Sequence, residues 1–226
     1  MRFWKTSAAM GIVALLSVPA VQAPADAAAG VTCRGRAATI VGTDGPDKLT
    51  GTRKKDVIAG LGGNDVIRGK GRLDVLCGDG GKDIVKGGKG EDKIQGSADN
   101  DRLRGGPDKD ILRGGGGNDN IKDGKGPDAS SGGIGDDVIR GGRGPDRVAG
   151  GPGNDNLGGG PGGDFLFGSD GNDTLVGNAG PDRMQGGAGD DRLDGVDGAP
   201  NDRLAGNGGV NVCLFDVGDA TSGCTP

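Results

Sequence analysis

GLGGNDVIR at residues 60–68, GGGGNDNIK at 114–122 and GGIGDDVIR at 132–140 are three copies of one nine-residue pattern. The pattern, G-G-x-G-x-D-x-U-x with U an aliphatic residue, fills residues 42–194 as 17 consecutive units without insertion or deletion. The sixth position is Asp in all 17 units, and the eighth is Leu, Ile, Val or Met in every unit except one, where Ser130 stands. A fixed period of this kind predicts a repeat architecture.

Each unit combines a loop signature with a strand signature. Gly at positions 1, 2 and 4 permits positive φ, so the first six residues can form a tight loop whose carbonyls turn inward. Positions 7 to 9 alternate outward, inward and outward, as expected of a short strand with one buried aliphatic residue. Such a strand cannot bury its side chain alone, so the units must stack. The fifth position is Asn or Asp at intervals that are multiples of 18, from Asn64 to Asp190, which predicts coils of two units and two chemically distinct edges.

Composition limits the possible functions. The 226 residues contain 54 Gly and 11 Pro, 32% hydrophobic residues and 2% aromatic residues, too little apolar material for an ordinary globular core. There is no His, which excludes a Ser-His-Asp triad and an H-E-x-x-H zinc site. We therefore expect a single repeat array without catalytic activity, whose stability comes from something other than apolar burial.

The two ends of the chain predict export and capping. Arg2 and Lys5 precede an apolar run at 8–18, so residues 1–29 are typical of a secretory signal peptide that leaves a secreted, extracellular protein. The formal net charge is −5, and cleavage before Ala28 would remove Arg2, Lys5 and Asp26 and leave −6. Residues 30–41 are expected to form an N-terminal cap, 195–214 two irregular repeats, and 215–226 a C-terminal capping tail.

Four cysteines in an exported chain indicate two disulfides. Three pairings are possible. We favour Cys33 with Cys77 and Cys213 with Cys224, since each pair would staple one end of the array.

The nonapeptide pattern resembles the RTX (repeats-in-toxin, haemolysin-type) calcium-binding repeat over essentially the whole mature length. The resemblance implies an all-β, right-handed parallel β-roll solenoid with two nonapeptides per coil and calcium between adjacent loops of one edge. It also implies about seven ions bound by sixth-position carboxylates and loop carbonyls. The predicted carboxylate ligands are Asp47, Asp65, Asp83, Asp119, Asp128, Asp137, Asp146, Asp155, Asp164, Asp173, Asp182 and Asp191. The predicted loop carbonyls include those of Gly114, Gly116, Gly132, Gly150, Gly168 and Gly186.

Several units depart from the pattern. Lys54 and Arg72 replace the fourth Gly, and one hypothesis is that these cations neutralise Asp56 and Asp74 in place of a metal; the alternative is decay of a terminal repeat. Asp99 and Asp108 also replace a fourth Gly, which puts the sites beside them in doubt. Asp123 replaces a first Gly, and Asp enters the left-handed region more readily than most residues.

The function that these features favour is a secreted calcium-binding β-roll that folds and rigidifies on binding several ions. The alternative is a calcium-stiffened adhesin, or an extracellular matrix or cell-wall-associated protein, because many outward strand positions are basic and could contact an anionic cell-surface polymer. Those positions include Arg68, Lys86, Arg104, Arg113, Arg140, Arg147, Arg183 and Arg192. We expect a monomer, no nucleic-acid partner because aromatic residues are scarce, and no stable membrane insertion.

Overall fold

A computed structural model describes residues 30–225, and the predicted signal peptide, residues 1–29, lies outside them. The described residues form a parallel β-solenoid of two long sheets with no helix. It follows that this part of the chain contains no helix able to cross a membrane. The all-β solenoid prediction is confirmed.

Strands alternate between the two sheets along the chain. Sheet I has ten strands: Lys48–Thr50, Val66–Gly71, Ile84–Lys89, Arg102–Pro107, Asn120–Lys125, Val138–Arg143, Asn156–Gly158, Thr174–Val176, Arg192–Asp194 and Val212–Leu214. Sheet II has eleven: Ile40–Val41, Val57–Ala59, Val75–Asp79, Lys93–Ser97, Ile111–Gly116, Ala129–Ile134, Arg147–Pro152, Phe165–Asp170, Arg183–Ala188, Arg203–Asn207 and Ala220–Ser222. A short antiparallel hairpin, Thr32–Cys33 with Arg36–Ala37, precedes them.

The coil length explains the register. Ile121 of sheet I pairs with Leu103 on one side and Ile139 on the other, two nonapeptide units away in each direction. Eighth-position residues are buried between the sheets and stack along the axis as one continuous core from Leu49 to Cys213. Their neighbours at positions 7 and 9 face outward, as in Arg102 and Arg104 around the buried Leu103. The predicted alternation is therefore confirmed.

The last coils show the expected irregularity. Arg183 pairs with Arg203, and this coil is longer than the regular ones because the unit that begins at Gly195 carries two extra residues. Arg203 then pairs with Ala220, which makes the following coil one residue shorter than the regular ones. The sheets absorb these changes in the loops and keep the strands in line.

Disulfides hold both ends. The favoured pairing is confirmed, with Cys33 bonded to Cys77 and Cys213 bonded to Cys224, each with a Cα–Cα distance of 5.7 Å. The N-terminal hairpin contacts the first strands of sheet II, and Cys33 and Ala38 form a small second core with Val57, Val75 and Cys77. This cap packs on the outer face of sheet II, while Ile40–Val41 adds a strand to its edge.

Candidate metal centre

The sixth-position carboxylates form two ladders, one along each loop edge of the solenoid. The backbone N–H of Asp119 donates to Oδ1 of Asp137 at 2.7 Å, and that of Asp137 donates to Oδ1 of Asp155 at 2.8 Å. On this edge, called the Asp47 edge, the chain of bonds runs at 18-residue steps from Asp47 to Asp191 and ends at Asn211. The second, the Asp56 edge, runs in the same way from Asp56 through Asp182 and Asp202 to Asp219.

The second oxygen of every interior carboxylate has no hydrogen-bond partner. These Oδ2 atoms are fully enclosed, and the side chains that carry them are at most 3% exposed. They belong to Asp65, Asp74, Asp83, Asp92, Asp101, Asp110, Asp119, Asp128, Asp137, Asp146, Asp155, Asp164, Asp173, Asp182, Asp191 and Asp202. A buried acceptor without a donor is costly, and an ionised one far more so. Each of these atoms is therefore a position where a cation would be favoured.

The first glycine of each unit makes room for that oxygen. A β-carbon at Gly141 would lie 2.5 Å from Oδ2 of Asp146 and 2.7 Å from the carbonyl oxygen of Gly159 in the next coil. No first-position glycine has positive φ, so the expectation that it serves a left-handed turn is wrong. Glycine is favoured at position 1 because a carboxylate oxygen and a carbonyl oxygen approach its α-carbon together, and Asp123 is the one other residue found there in the 17 units. Positive φ is found at the second and fourth positions instead, as at Gly142 and Gly144.

Burial raises the pKa of the interior carboxyls above the ordinary value for Asp. The pKa of Asp110 rises to about 8, mainly because of burial; the N–H of Asp92 that it accepts lowers the pKa, and the neighbouring carboxylates raise it. The pKa is raised to about 8 at Asp101 and Asp110, to about 7 at Asp92, Asp119, Asp146, Asp155 and Asp182, and to about 6 at Asp65, Asp74, Asp83, Asp137, Asp164 and Asp173. Without a cation, burial therefore shifts the titration of these carboxyls toward the protonated form.

The predicted ligand Asp47 differs from the rest of the predicted carboxylates. It is half-buried, and its Oδ2 accepts the N–H of Thr43 at 2.6 Å and the hydroxyl of Thr43 at 2.9 Å. The other eleven predicted carboxylates all belong to the interior ladders with an unpartnered Oδ2. Thr43 thus already hydrogen-bonds to Oδ2 of Asp47, the carboxylate oxygen that has no partner in the interior of the ladders.

Sequence reasoning left out ladder members beside irregular loops. Asp101 and Asp110 have the same unpartnered Oδ2 as their neighbours, although Asp99 and Asp108 replace the fourth Gly of their loops. Asp99 and Asp108 adopt the glycine-like φ of 68° and 79°, so the loop path is unchanged. Their carboxylates accept the N–H of the fourth residue of the preceding coil on the same edge. The invariant sixth-position Asp was the signal that could have identified Asp101 and Asp110.

The structure contradicts the hypothesis that Lys54 and Arg72 neutralise the neighbouring carboxylates. Both side chains are exposed, and the one ion pair among residues 30–225 joins Arg192 to Asp194. Oδ2 of Asp56 accepts the N–H and hydroxyl of Thr52 instead, at 2.7 and 3.0 Å. The loop directs the fourth side chain to solvent, away from the carboxylate.

The predicted carbonyl ligands lie in the loops beside the ladders. The carbonyl oxygen of Gly132 lies where a β-carbon of Gly114 would be, next to Oδ2 of Asp119, and that of Gly186 is placed in the same way beside Asp173. Gly114 is arranged likewise beside Asp101. Gly116 is a third-position residue, and the corresponding carbonyl of the next loop, Ile134, accepts the N–H of Gly117 at 2.8 Å. The first-position carbonyls of Gly114, Gly132 and Gly186 thus lie near the same β-carbon positions as the unpartnered carboxylate oxygens.

The fifth-position Asn and Asp residues explain the difference between the two edges. On the Asp47 edge the N–H of Asp136 donates to Oδ1 of Asn118, and the N–H of Asn154 donates to Oδ1 of Asp136. The Asp56 edge carries Pro127 and Pro145 at the same position, which lack the N–H that such a ladder needs. The recurrence of these residues in every second unit therefore marks a second side-chain ladder on one edge only.

Asp123 is tolerated for a different reason from the one its residue type suggested. Its φ is not positive, and its side chain is fully buried with Oδ2 accepting the hydroxyl of Ser130 at 2.7 Å. Burial raises the pKa of Asp123 well above its ordinary value, and the Ser130 hydrogen bond offsets this in part. The two departures of this unit, Asp at position 1 and Ser at position 8, thus form one buried pair.

The donor set fits a hard cation. Calcium takes six to eight oxygen ligands from carboxylates, backbone carbonyls and water in a flexible shell. Within residues 30–225, no three His, Cys, Asp or Glu side chains are gathered closely enough to hold a metal by themselves. Backbone carbonyls would therefore complete the shell of any ion at the ladders, and one carboxylate per loop would supply the charge.

Comparison with known families identifies the repeat. The model of the RTX calcium-binding nonapeptide repeat (4 copies) matches residues 41–71, 77–112, 87–121, 104–128, 131–166 and 167–200. No curated protein matches the chain. The matched segments cover well over half of the sequence and coincide with the two carboxylate ladders. The chain therefore belongs to the RTX calcium-binding nonapeptide repeat family.

Proposed function

We propose that this is a secreted, non-enzymatic protein that binds several calcium ions along its loop edges and folds into a rigid rod as it does so. The observation that supports this most strongly is the pair of ladders with sixteen interior carboxylate oxygens that lack a partner. Apolar burial offers little compensation, because each coil contributes only two interior aliphatic side chains. Cation binding and folding are therefore expected to be coupled.

The same chemistry favours calcium over magnesium. Magnesium requires near-ideal octahedral geometry and gives up its water reluctantly, whereas calcium accepts irregular shells built from carbonyls and single carboxylates. The ladders offer such shells at a fixed spacing. Extracellular calcium modules bind at about 10⁻⁴ to 10⁻³ M, concentrations found outside cells rather than in the cytosol. Export through the predicted signal peptide would deliver the unfolded chain to the medium in which it can fold.

Titration of chelator-treated protein with calcium, and separately with magnesium, tests this function by far-UV circular dichroism. We expect a transition to β-structure at submillimolar to millimolar calcium and no comparable transition with magnesium. Circular dichroism suits the chain because it has no Tyr and its single Trp, Trp4, lies in the predicted signal peptide. Equal responses to both ions, or no response to calcium, would refute the proposal.

A further inference from the structure

We infer that the outer face of sheet I is a docking surface for a linear phosphodiester polymer of the type found in cell walls. The surface is a single row of cations at the ninth position of five successive strands. In spatial order the row is Arg68, Lys86, Arg104, Lys122 and Arg140.

The row has a regular geometry that the parallel register imposes. Each cation pairs in register with the next, and all five side chains are exposed. Neighbouring strands lie about 4.8 Å apart, so the row is about 19 Å long. It ends sharply, because Thr50 precedes it and Gly158 follows it in the same register. Further exposed cations lie near the C-terminal ends of four of these strands, at Lys70, Lys89, Lys125 and Arg143, and of these Lys125 and Arg143 pair in register.

Folding does not explain this row. Like charges placed directly opposite each other on adjacent strands destabilise a sheet. No acidic partner relieves the repulsion, since Arg192–Asp194 is the one ion pair in the described part of the chain. Protection against edge-to-edge association is not the reason either, because the row lies on the face of interior strands and the open edges are the terminal strands. The row costs stability, and a bound polyanion would remove that cost.

Sheet II distributes its outward-facing cations differently. Its outward cations form no run longer than two in register: Arg113 is followed by Ser131 and Ala149, and Arg183 pairs with Arg203 between Phe165 and Ala220. Two of them, Arg147 and Arg183, lie over the ring of Phe165, at 5.5 and 5.1 Å from its centroid. A continuous file of free cations is thus a property of sheet I.

The residues around the row indicate the chemistry of the partner. Arg and Lys both bind phosphate well, Arg through its planar fork and Lys as a point charge. The outward positions of sheet I contain no aromatic residue on which a sugar ring or a nucleic-acid base could stack. Recognition would therefore rest on regularly spaced negative charge, which a linear poly(alditol phosphate) supplies without rings to be stacked.

This surface rests on the proposed function in one respect, since it exists only when the coils are stacked. Calcium at the loop edges would also cancel negative charge on either side of the row, and about seven ions would reverse the sign of the net charge from its apo value of −6. Polymer binding should therefore appear together with folding.

Binding of the full secreted protein to immobilised synthetic poly(glycerol phosphate), in saturating calcium and at several salt concentrations, tests the inference. The row variant carries Arg68→Gln, Lys86→Gln, Arg104→Gln, Lys122→Gln and Arg140→Gln. The matched control carries Lys93→Gln, Arg113→Gln, Arg147→Gln, Arg183→Gln and Arg203→Gln, which remove the same charge from sheet II. Circular dichroism verifies that each variant is folded.

We expect the row variant to bind at least about tenfold more weakly and with a shallower salt dependence, since five exposed ion pairs of modest strength are lost. The control variant should bind nearly as the parent does. Equal losses in both variants, or no loss in the row variant, would overturn the docking surface. Equal or tighter binding to hyaluronate or duplex DNA would overturn the assignment of the partner. If the parent is already folded in chelator, the calcium proposal fails. Comparing the row variant with the sheet II control in chelator then still tests the docking surface.

Discussion

The interior and the ends of the carboxylate ladders use the same position of the repeat in opposite ways. In the interior, Oδ2 of residues such as Asp137 is buried without a partner. At the N-terminal ends, Thr43 and Thr52 donate two hydrogen bonds each to Asp47 and Asp56. At the C-terminal ends, Nδ2 of Asn211 donates to the carbonyls of Gly208 and Gly223, and Oδ2 of Asp219 accepts the N–H of Asp216.

The difference shows how the array separates binding from capping. At both ends of each ladder, groups of the protein hydrogen-bond to the side-chain atom that corresponds to the unpartnered oxygen of the interior. The ladder ends therefore need no ion. Asn211 is the clearest case. Its amide Nδ2 donates two hydrogen bonds, whereas Oδ2 of an interior Asp accepts none. The interior members leave one carboxylate oxygen without a partner. We therefore expect dependence on a cation to be a property of the interior alone.

Replacing interior carboxylates by amides should have the largest effect, because it gives interior positions the side-chain chemistry of the Asn211 end. We predict that Asp119→Asn, Asp137→Asn and Asp155→Asn together raise the calcium midpoint of folding about tenfold or more, because calcium affinity follows ligand charge. In chelator the same variant should show more β-structure than the parent, since each amide can donate as Asn211 does and no charge is buried. Far-UV circular dichroism measures both effects.

The matched control places the same three changes at ladder ends, as Asp47→Asn, Asp56→Asn and Asp219→Asn. There each change loses a hydrogen bond worth about 1 kcal/mol and removes no unpartnered oxygen. The control should lower stability in calcium and gain no structure in chelator. Identical behaviour of the two variants would show that ends and interior do not differ as described.

Acid should partly substitute for calcium in the interior. The pKa of Asp101 and Asp110 in the folded chain is about 8, above the ordinary 3.8, so the folded state retains protons that the unfolded chain releases. Stability of the cation-free fold is therefore fully present below about pH 4 and is lost as pH rises through about 6 to 8. Circular dichroism in chelator should show β-structure increasing from about pH 8 to about pH 5. An increase of β-structure with rising pH would contradict the burial of these carboxyls.

A smaller effect is expected from the glycines that adjoin the ladders. Gly141→Ala would push a β-carbon against Oδ2 of Asp146 and the carbonyl of Gly159 and should cost about 1–3 kcal/mol. Gly116→Ala is the control, because nothing lies within 4 Å of its β-carbon position and its φ is not positive. Denaturant unfolding in saturating calcium compares the two free energies of unfolding. Equal costs would mean that position 1 is not restricted by the ladder.

The nine-residue period with its sixth-position Asp and eighth-position aliphatic residue predicted the inward side chains, and the 18-residue recurrence of fifth-position Asn and Asp predicted the coil length and the distinct edges. The disulfide pairing was one of three possibilities, favoured because each pair would staple one end of the array. Contacts between coils were beyond sequence reasoning. The role of first-position glycines depends on a carboxylate of the same loop and a carbonyl of the next coil, and residue type alone suggests a turn. Asp123 and Ser130 look like two separate departures from the repeat, but in the fold the Ser130 hydroxyl donates to Oδ2 of Asp123 at 2.7 Å. Their occurrence in the same unit could have indicated this contact. Lys54 looked like a substitute cation because its position in sequence does not reveal that it faces solvent.

The most direct measurement is the far-UV circular dichroism spectrum of the chain without its predicted signal peptide, in excess chelator at neutral pH. Sixteen buried carboxylate oxygens without partners predict a largely disordered spectrum that turns to β-structure when calcium is restored. A stable β spectrum in chelator would contradict this, and would mean that the two disulfides, the end caps and the stacked aliphatic core hold the solenoid together without a cation.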